Sequence, residues 1–272
     1  MKKHMNQKDF DKWLEIAEEK NDDYFDLIDQ VLPIFSEFIK KSTHKSTWFA
    51  LAGLHTHLFT LKNGTIVLAR DNNIYSAKVL YRIFLEHWLK GNYIWTRYTR
   101  ENSDVVGEEY KNSSMNEALS YVESVKCATK LSGNEEVYSD AWESFCNDHP
   151  NIKDLDKNKI SKNAKKFKYR NMIKFLIDNE APGSEWMPII LPEYSELSSF
   201  VHGGPDASTE YASELYVKQY DEYRGMIRFQ LNICKTFSIS IFGLMLKDLS
   251  ADDKKSVALI IDKLKDEEEF LD

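Results

Sequence analysis

The stretch from Ile74 to Arg100, IYSAKVLYRIFLEHWLKGNYIWTRYTR, decides the fold class. Its apolar residues recur at intervals of three and four and cover most of a helix circumference, which is typical of a helix buried in a bundle. The charged side chains of Arg82, Glu86 and Lys90 fall within about 80° of one another at ~100° per residue, so they form one narrow polar stripe. Asn73, directly before the stretch, predicts the N-cap.

The composition extends this prediction to the whole chain. Glycine (10) and proline (6) are scarce among the 272 residues, and an all-β fold with many turns needs more of both. We therefore predict an all-α protein, a multi-helix bundle of about nine or ten helices. Three regions are expected: N-terminal helices in residues 1–46, a helical core domain with the site in residues 47–249, and a C-terminal acidic helix in residues 250–272.

Two positions in the first third of the chain predict helix ends. Pro33 lies inside an apolar helical pattern and is expected to kink or break the helix, because proline lacks the N–H donor and crowds the preceding turn. Asn63-Gly64 predicts the end of the next helix. The β-branched residues 65–69 leave a short hairpin as the alternative. We favour the helix end.

The second half of the chain contains further boundary signals. A basic helix is expected to continue to about Asp178. Pro192 suits the first turn of a short helix that ends at His202, because proline needs no N–H partner there. Ser250 and Asp253 have the spacing of a capping box, with Asp where Glu or Gln is usual.

The apolar residues 229–246 raise the question of a membrane span. They include Asn232 and Lys235, and a lysine at the bilayer centre costs about 3 kcal/mol. We therefore interpret them as part of a long core helix, capped by Ser208 or Thr209 and continuing to about Leu246, and expect no membrane contact. The N-terminal sequence has no apolar run of a signal peptide, so the expected location is the cytoplasm.

The charged stripe of the central helix has two interpretations. In one, it faces water, and Glu86 and Lys90 form an ordinary pair one turn apart. In the other, Arg82 and Glu86 line an internal cleft, where paired charges are typical of a functional site. Arg82 and His87 also have the Arg-x4-His spacing of HEPN ribonucleases. About half a match is expected by chance at this composition, and His87 lies on the apolar side of the helix.

A second candidate cluster follows Pro192. Tyr194, Ser198 and His202 are spaced by four residues and form one stripe of a helix. His202 is expected in the last turn of this helix, where the carbonyl groups interact favourably with a cation. Gly203-Gly204 would let a ligand approach closely. The alternative is a helix end at which His202 is only a capping residue.

Together the two clusters resemble an uncharacterised bacterial family, domain of unknown function 5677, over roughly residues 47–246. The motifs are A-x2-L-x-R-x3-E, at Ala77, Leu80, Arg82 and Glu86, and Y-x3-S-x3-H-G, at Tyr194, Ser198, His202 and Gly203. The family is distantly similar to HEPN proteins, which implies an all-helical fold, a site formed between two subunits and metal-independent RNA cleavage. In HEPN proteins a His acts as general acid or base and an Arg stabilises the phosphate.

The resemblance implies a set of catalytic candidates in this chain: His202, Arg82, Glu86, Ser198 and Tyr194. No Arg lies four to six residues before His202. An Arg–His pair would therefore have to be assembled from Arg82 and His202 across two helices, or from Arg82 and His87.

A basic segment, residues 157–174, contains eight Lys or Arg and no acidic residue, although the chain has a net charge of −8. We expect it to bind RNA or another phosphate-containing ligand, with Phe167 and Tyr169 available for stacking. The predicted nucleic-acid-binding residues are Lys162, Lys165, Lys166, Lys168 and Arg170. The alternative is a solvated helix face.

Three function classes stay open. The first is a HEPN-like ribonuclease acting in bacterial defence against phage or mobile elements. The second is a non-catalytic interaction or sensor module with a degenerate site, such as the neutralising or regulatory partner of a toxin. The third is a regulator that binds a small molecule or nucleotide at the loop Pro182–Pro192. The first class is an enzyme and the other two are not.

The sequence also gives expectations about partners. The aromatic content and the HEPN resemblance predict a homodimer, and the second function class adds a protein partner. No cofactor is expected. No metal is expected either, because His55 and His57 diverge on a helix and the three cysteines lack metal-ligand spacing.

Overall fold

The computed structural model describes residues 5–133, 141–148, 156–202 and 219–266. Regular structure in these ranges is entirely helical, which confirms the all-α class. The described ranges contain eleven α-helices: α1 (Gln7–Asp29), α2 (Leu32–Lys41), α3 (Lys45–Arg70), α4 (Ile74–Glu101), α5 (Val105–Leu131), α6 (Ala141–Asp148), α7 (Lys157–Lys166), α8 (Tyr169–Asp178), α9 (Met187–His202), α10 (Tyr220–Met245) and α11 (Ala251–Asp266). Short 3-10 turns are formed by Ser184–Trp186 and Leu246–Asp248.

The centre of the bundle is formed by α3, α4 and α10. The stretch that begins at Ile74 is one continuous helix, α4, as its spacing predicts. A single hydrophobic cluster extends from Phe10 in α1 to Leu264 in α11. A smaller cluster joins Leu119 of α5 to Phe145 of α6. The division into three sequence regions stays a prediction.

Three predicted helix boundaries are confirmed. The Asn73 side chain accepts a hydrogen bond from the Ser76 amide at 3.1 Å and caps α4. Ser250 Oγ accepts from the Asp253 amide at 3.3 Å and donates to its carboxylate at 2.7 Å, so Ser250 caps α11 at the predicted spacing. Pro33 separates α1 from α2 and lies in the first turn of α2.

The predicted helix end at Asn63-Gly64 is wrong, as is the hairpin alternative, because α3 continues to Arg70. At Gly64 the α3 backbone closely approaches α4: a Cβ built there would lie 2.8 Å from Leu80 Cδ1. The glycine therefore serves the contact between two helices and does not end one.

The helix predicted to begin at Pro192 begins earlier, at Met187, and contains Pro192 in its interior. An interior proline removes one backbone hydrogen bond. The burial of apolar side chains of α9 offsets this lost hydrogen bond, because Met187 and Ile190 are 0% and 2% exposed in the core.

The single basic helix predicted to continue to Asp178 is also wrong, because the chain forms α7 and α8. Phe167, between them, inserts its ring against Tyr93 and Tyr110, with centroids 5.3 Å apart in each pair. Tertiary packing of one aromatic residue thus breaks the helix. The predicted caps Ser208 and Thr209, like Gly203-Gly204 and residues 267–272, lie outside the described residues.

Within the described ranges, one helical segment, Tyr220–Asp248, is long and apolar enough to cross a bilayer by length and composition. Half of its most apolar window is buried inside the protein. The buried face is partly polar: Gln230 is 0% exposed and donates to Thr65 Oγ1 of α3 at 3.2 Å. These contacts are those of a core helix of the bundle.

Candidate functional site

Arg82 of α4 is bound by two side chains of α9. Its Nε donates to Ser198 Oγ at 3.2 Å and its Nη2 donates to Tyr194 Oη at 2.8 Å. The guanidinium also lies 4.6 Å from the centroid of the Tyr194 ring, a cation–π contact. The Arg82 side chain is only 15% exposed. Arg82 therefore packs against α9 and does not face water.

Glu86 and Lys90 complete this cluster. The Glu86 carboxylate lies 3.6 Å from Arg82 Nη1 and 2.9 Å from Lys90 Nζ, and accepts from Tyr194 Oη at 3.5 Å. Burial raises the pKa of Glu86, but the charges of Lys90 and Arg82 outweigh burial and hold its pKa below the usual value. Glu86 is therefore a carboxylate at neutral pH. One negative and two positive side chains leave the cluster with a net positive charge.

Tyr169, the first residue of α8, connects the basic segment to this cluster. Its ring stacks on Tyr194 with centroids 3.8 Å apart and planes inclined by 15°. Burial holds the pKa of Tyr169 above its ordinary value, so its hydroxyl is neutral. Lys168 and Arg170, on either side of Tyr169 in the sequence, are exposed. The sequence indicates that Tyr169 can stack, but it contains no signal for Tyr194 as the partner.

The five predicted nucleic-acid-binding residues differ in their contacts. Lys166 forms an ion pair with Glu109. The other four are exposed and form no side-chain hydrogen bond or ion pair with another described residue: Lys162, Lys165, Lys168 and Arg170. Elsewhere in the segment, Lys157 pairs with Glu123 at 2.8 Å and Lys174 pairs with Asp178 at 2.8 Å. Part of the basic charge is thus neutralised within the protein. Five cations of the segment, these four and Lys159, are exposed and have no ion-pair partner among the described residues.

His202 adjoins the cluster without a bond to it. It is the last residue of α9, one turn or about 6 Å beyond Ser198, and is exposed. Within the described part of the chain, no hydrogen bond or ion pair joins it to Arg82. The structure therefore brings together four of the five catalytic candidates, Arg82, Glu86, Tyr194 and Ser198, with His202 one turn away.

The His87 side chain forms its hydrogen bond within α4. Its Nδ1 lies 2.8 Å from the Ile83 carbonyl oxygen, and its ring meets that of His57 edge-on, with centroids 5.1 Å apart. Burial lowers the pKa of His87. This hydrogen bond occupies His87 Nδ1, whereas Arg82 has its partners in α9 and in Glu86.

His55 lies in the interior of the bundle, and α3 is helical at His55 and His57, as predicted. His55 Nε2 lies 2.7 Å from Ser238 Oγ. Across the described residues, no group of three or more His, Cys, Asp or Glu side chains is placed to hold a metal ion.

Residues 49–218 match a family whose description is "Family of unknown function (DUF5677)". The match covers more than half of the chain. The chain belongs to DUF5677. The resemblance expected from the two motifs is thereby confirmed, and the matched DUF5677 segment contains the Arg82 cluster, the basic segment and His202. No curated protein and no solved structure matches the chain.

Proposed function

We propose that this DUF5677 protein binds single-stranded RNA along α7, the start of α8 and the Arg82 cluster. The observation that carries the proposal is the stack of Tyr169 on Tyr194, because it joins the exposed cations of the basic segment to Arg82. Cations next to aromatic rings are the combination that binds phosphates and bases of a single strand.

We further propose that the protein is a metal-independent ribonuclease of the HEPN kind, acting in the bacterial cytoplasm against phage or mobile elements. His202 would take the proton of a ribose 2′-hydroxyl, whose oxygen attacks the neighbouring phosphorus. The bond from phosphorus to the 5′-oxygen breaks, and the leaving oxygen takes a proton from water. Arg82, positioned by Ser198 and Tyr194, would stabilise the charge on the phosphate. Two subunits would form the active protein.

A second candidate function is a non-catalytic interaction or sensor module. It is favoured by the contacts of Arg82, whose guanidinium already faces Ser198, Tyr194 and Glu86. In that case the cluster holds α4 and α9 together, and the exposed basic surface binds a partner.

RNA binding is tested by fluorescence anisotropy with a labelled single-stranded oligonucleotide. The Lys162→Ala/Lys165→Ala variant removes two exposed cations and should lower the slope of log affinity against log salt by about 1.4. The matched control is Lys157→Ala/Lys174→Ala in the same segment, whose cations are already ion-paired. Equal losses in both variants, or no binding by the wild type, would contradict the proposal.

Cleavage is tested with the same RNA in the presence of EDTA. We expect wild-type protein to release fragments that end in a 2′,3′-cyclic phosphate and His202→Ala to release none. Since His202 is exposed and makes no side-chain bond to a described residue, its replacement should leave the melting temperature unchanged. His57→Ala, another exposed histidine, is the control. RNA that is bound but left intact by the wild type would favour the non-catalytic module.

A further inference from the structure

A cavity of about 1050 Å³ lies between α4, the loop at residues 182–186 and α10. Its aromatic walls include Trp88, Trp95 and Trp186. The two α4 tryptophans lie more than about 100° from Arg82 around the helix, at ~100° per residue. The cavity is therefore separate from the Arg82 cluster.

The walls of the cavity are fixed by contacts within the protein. Asn92 Nδ2 donates to the Pro182 carbonyl oxygen at 2.9 Å, which holds the loop on α4. Gly183 has a φ of +81°, a conformation that suits glycine, and a Cβ there would lie 3.5 Å from Trp88. Trp95 Nε1 donates to the Ser240 carbonyl oxygen at 3.3 Å. Small-molecule sites are usually formed in advance in this way.

One face of α10 presents unpaired polar groups to the cavity. Arg224, Arg228 and Asn232 follow one another at successive turns and are all partly buried. Their side chains form no hydrogen bond or ion pair with any residue in the described ranges, and the buried Oδ1 of Asn232 has no partner. Buried polar atoms are nearly always hydrogen-bonded, so the unpartnered Asn232 Oδ1, beside two guanidinium groups and aromatic walls, points to a ligand.

The charges of the lining restrict the ligand. Glu185 and Asp221 also line the cavity, so two carboxylates accompany the guanidinium groups of Arg224 and Arg228. A simple anion would satisfy the arginines alone. The ligand needs an anionic group for the arginines, hydrogen-bond donors for Glu185 and Asn232, and a flat ring to stack on tryptophan.

We propose that this cavity binds a nucleoside monophosphate. Its phosphate would bind Arg224 and Arg228, its base would stack against the tryptophans, and its hydroxyl and amino groups would donate to Glu185 and Asn232. The cavity volume is that of a small-molecule site. The proposal is independent of RNA binding, since it uses the other side of α4.

The test is a titration of tryptophan fluorescence in the full chain with AMP, GMP, CMP and UMP, and separately with inorganic phosphate and with adenosine. At least one nucleotide should quench saturably and raise the melting temperature. Phosphate or adenosine alone should need at least about tenfold higher concentration. Arg224→Ala/Arg228→Ala should weaken nucleotide binding by about tenfold or more. Lys254→Ala, which removes an exposed cation of α11, should not.

Several results would overturn the proposal. They are the absence of quenching by all four nucleotides up to about 1 mM, equal affinity for adenosine and AMP, and unchanged affinity in the double arginine variant. The arginines make no bond that the fold needs, so the double variant should retain the wild-type melting temperature. Trp186→Ala, at a position 50% exposed, provides a second variant that should weaken binding. Anisotropy with labelled RNA distinguishes the cavity from the RNA-binding surface, because neither the double arginine variant nor Trp186→Ala should change the affinity for RNA.

Discussion

Gly107 of α5 lies directly against the backbone of Thr47 in α3: a Cβ built on Gly107 would be 2.1 Å from the Thr47 nitrogen. Asp104, next to the start of α5, accepts from the same amide at 2.7 Å and from that of Ser46 at 3.0 Å. His44, the N-cap residue of α3, provides no side-chain cap. The first turn of α3 is therefore capped by the Asp104 side chain. The close approach of the two backbones requires glycine at position 107.

Replacement of Gly107 by alanine should destabilise the protein by about 3 kcal/mol, because the new methyl group meets backbone that cannot move aside. Urea unfolding measures the change. The control is Gly53→Ala in the same α3 helix, where a Cβ has no neighbour within 4 Å. That change should stabilise the protein by about 1 kcal/mol. A Gly107→Ala variant as stable as the wild type would show that α3 and α5 are not held this closely.

Buried His55 should make stability depend on pH. Burial, followed by the charge of Lys62, lowers the pKa of His55 to about 4 in the folded state. The unfolded chain takes up this proton near pH 6.5. The buried, neutral His55 therefore contributes fully to the free energy of unfolding above pH 6.5. As the pH falls towards 4 this contribution is lost, and the free energy of unfolding decreases by about 3 kcal/mol in total.

His55→Gln keeps a polar partner for Ser238 and removes the titration. The difference in free energy of unfolding between wild type and this variant should change by about 3 kcal/mol between pH 7 and pH 4. Because all other groups are common to both proteins, the difference isolates His55. A difference that stays constant with pH would contradict the prediction.

Arg97 joins α4 to α5 through buried charge. It pairs with Glu101 at 2.6 Å and Glu109 at 2.5 Å, and the Arg97 and Glu109 side chains are only 10% and 12% exposed. Arg97→Ala leaves the Glu109 carboxylate with Lys166 alone and should cost about 3 kcal/mol in thermal or urea unfolding. Lys174→Ala, which breaks an exposed pair, should cost less than about 1 kcal/mol. Similar effects of the two variants would refute this distinction.

The stack of Tyr169 on Tyr194 should matter for RNA. Tyr169→Ala should weaken the affinity for labelled RNA by about tenfold, since a base–aromatic stack contributes roughly 1–3 kcal/mol. Fluorescence anisotropy measures this affinity. Tyr169→Phe retains the ring and should bind like the wild type. Tyr121→Ala removes a 71% exposed tyrosine and serves as the control. Equal binding by all three variants would remove Tyr169 from the RNA surface.

The helical class and several helix ends could be predicted from the sequence because their causes are local. Asn73 and Ser250 cap helices through groups three residues away, and Pro33 breaks a helix by its own ring. The stripe of Tyr194, Ser198 and His202 likewise follows from four-residue spacing. Glu86 and Arg82 could be identified as neighbours on one helix. Helix periodicity and capping did not indicate that α9 faces them, and only the family resemblance grouped the two motifs.

The sequence by itself determined the helical class, the amphipathic faces of the helices and the residue types of the candidate site. Only the tertiary structure decided that Gly64 continues a helix, that Pro192 lies within one and that Tyr169 reaches Tyr194. It also decided the cavity between α4 and α10, whose lining comes from residues more than a hundred positions apart. The physical reason is that capping and periodicity act between near neighbours in the chain, whereas burial and close helix contacts depend on partners that only folding brings together.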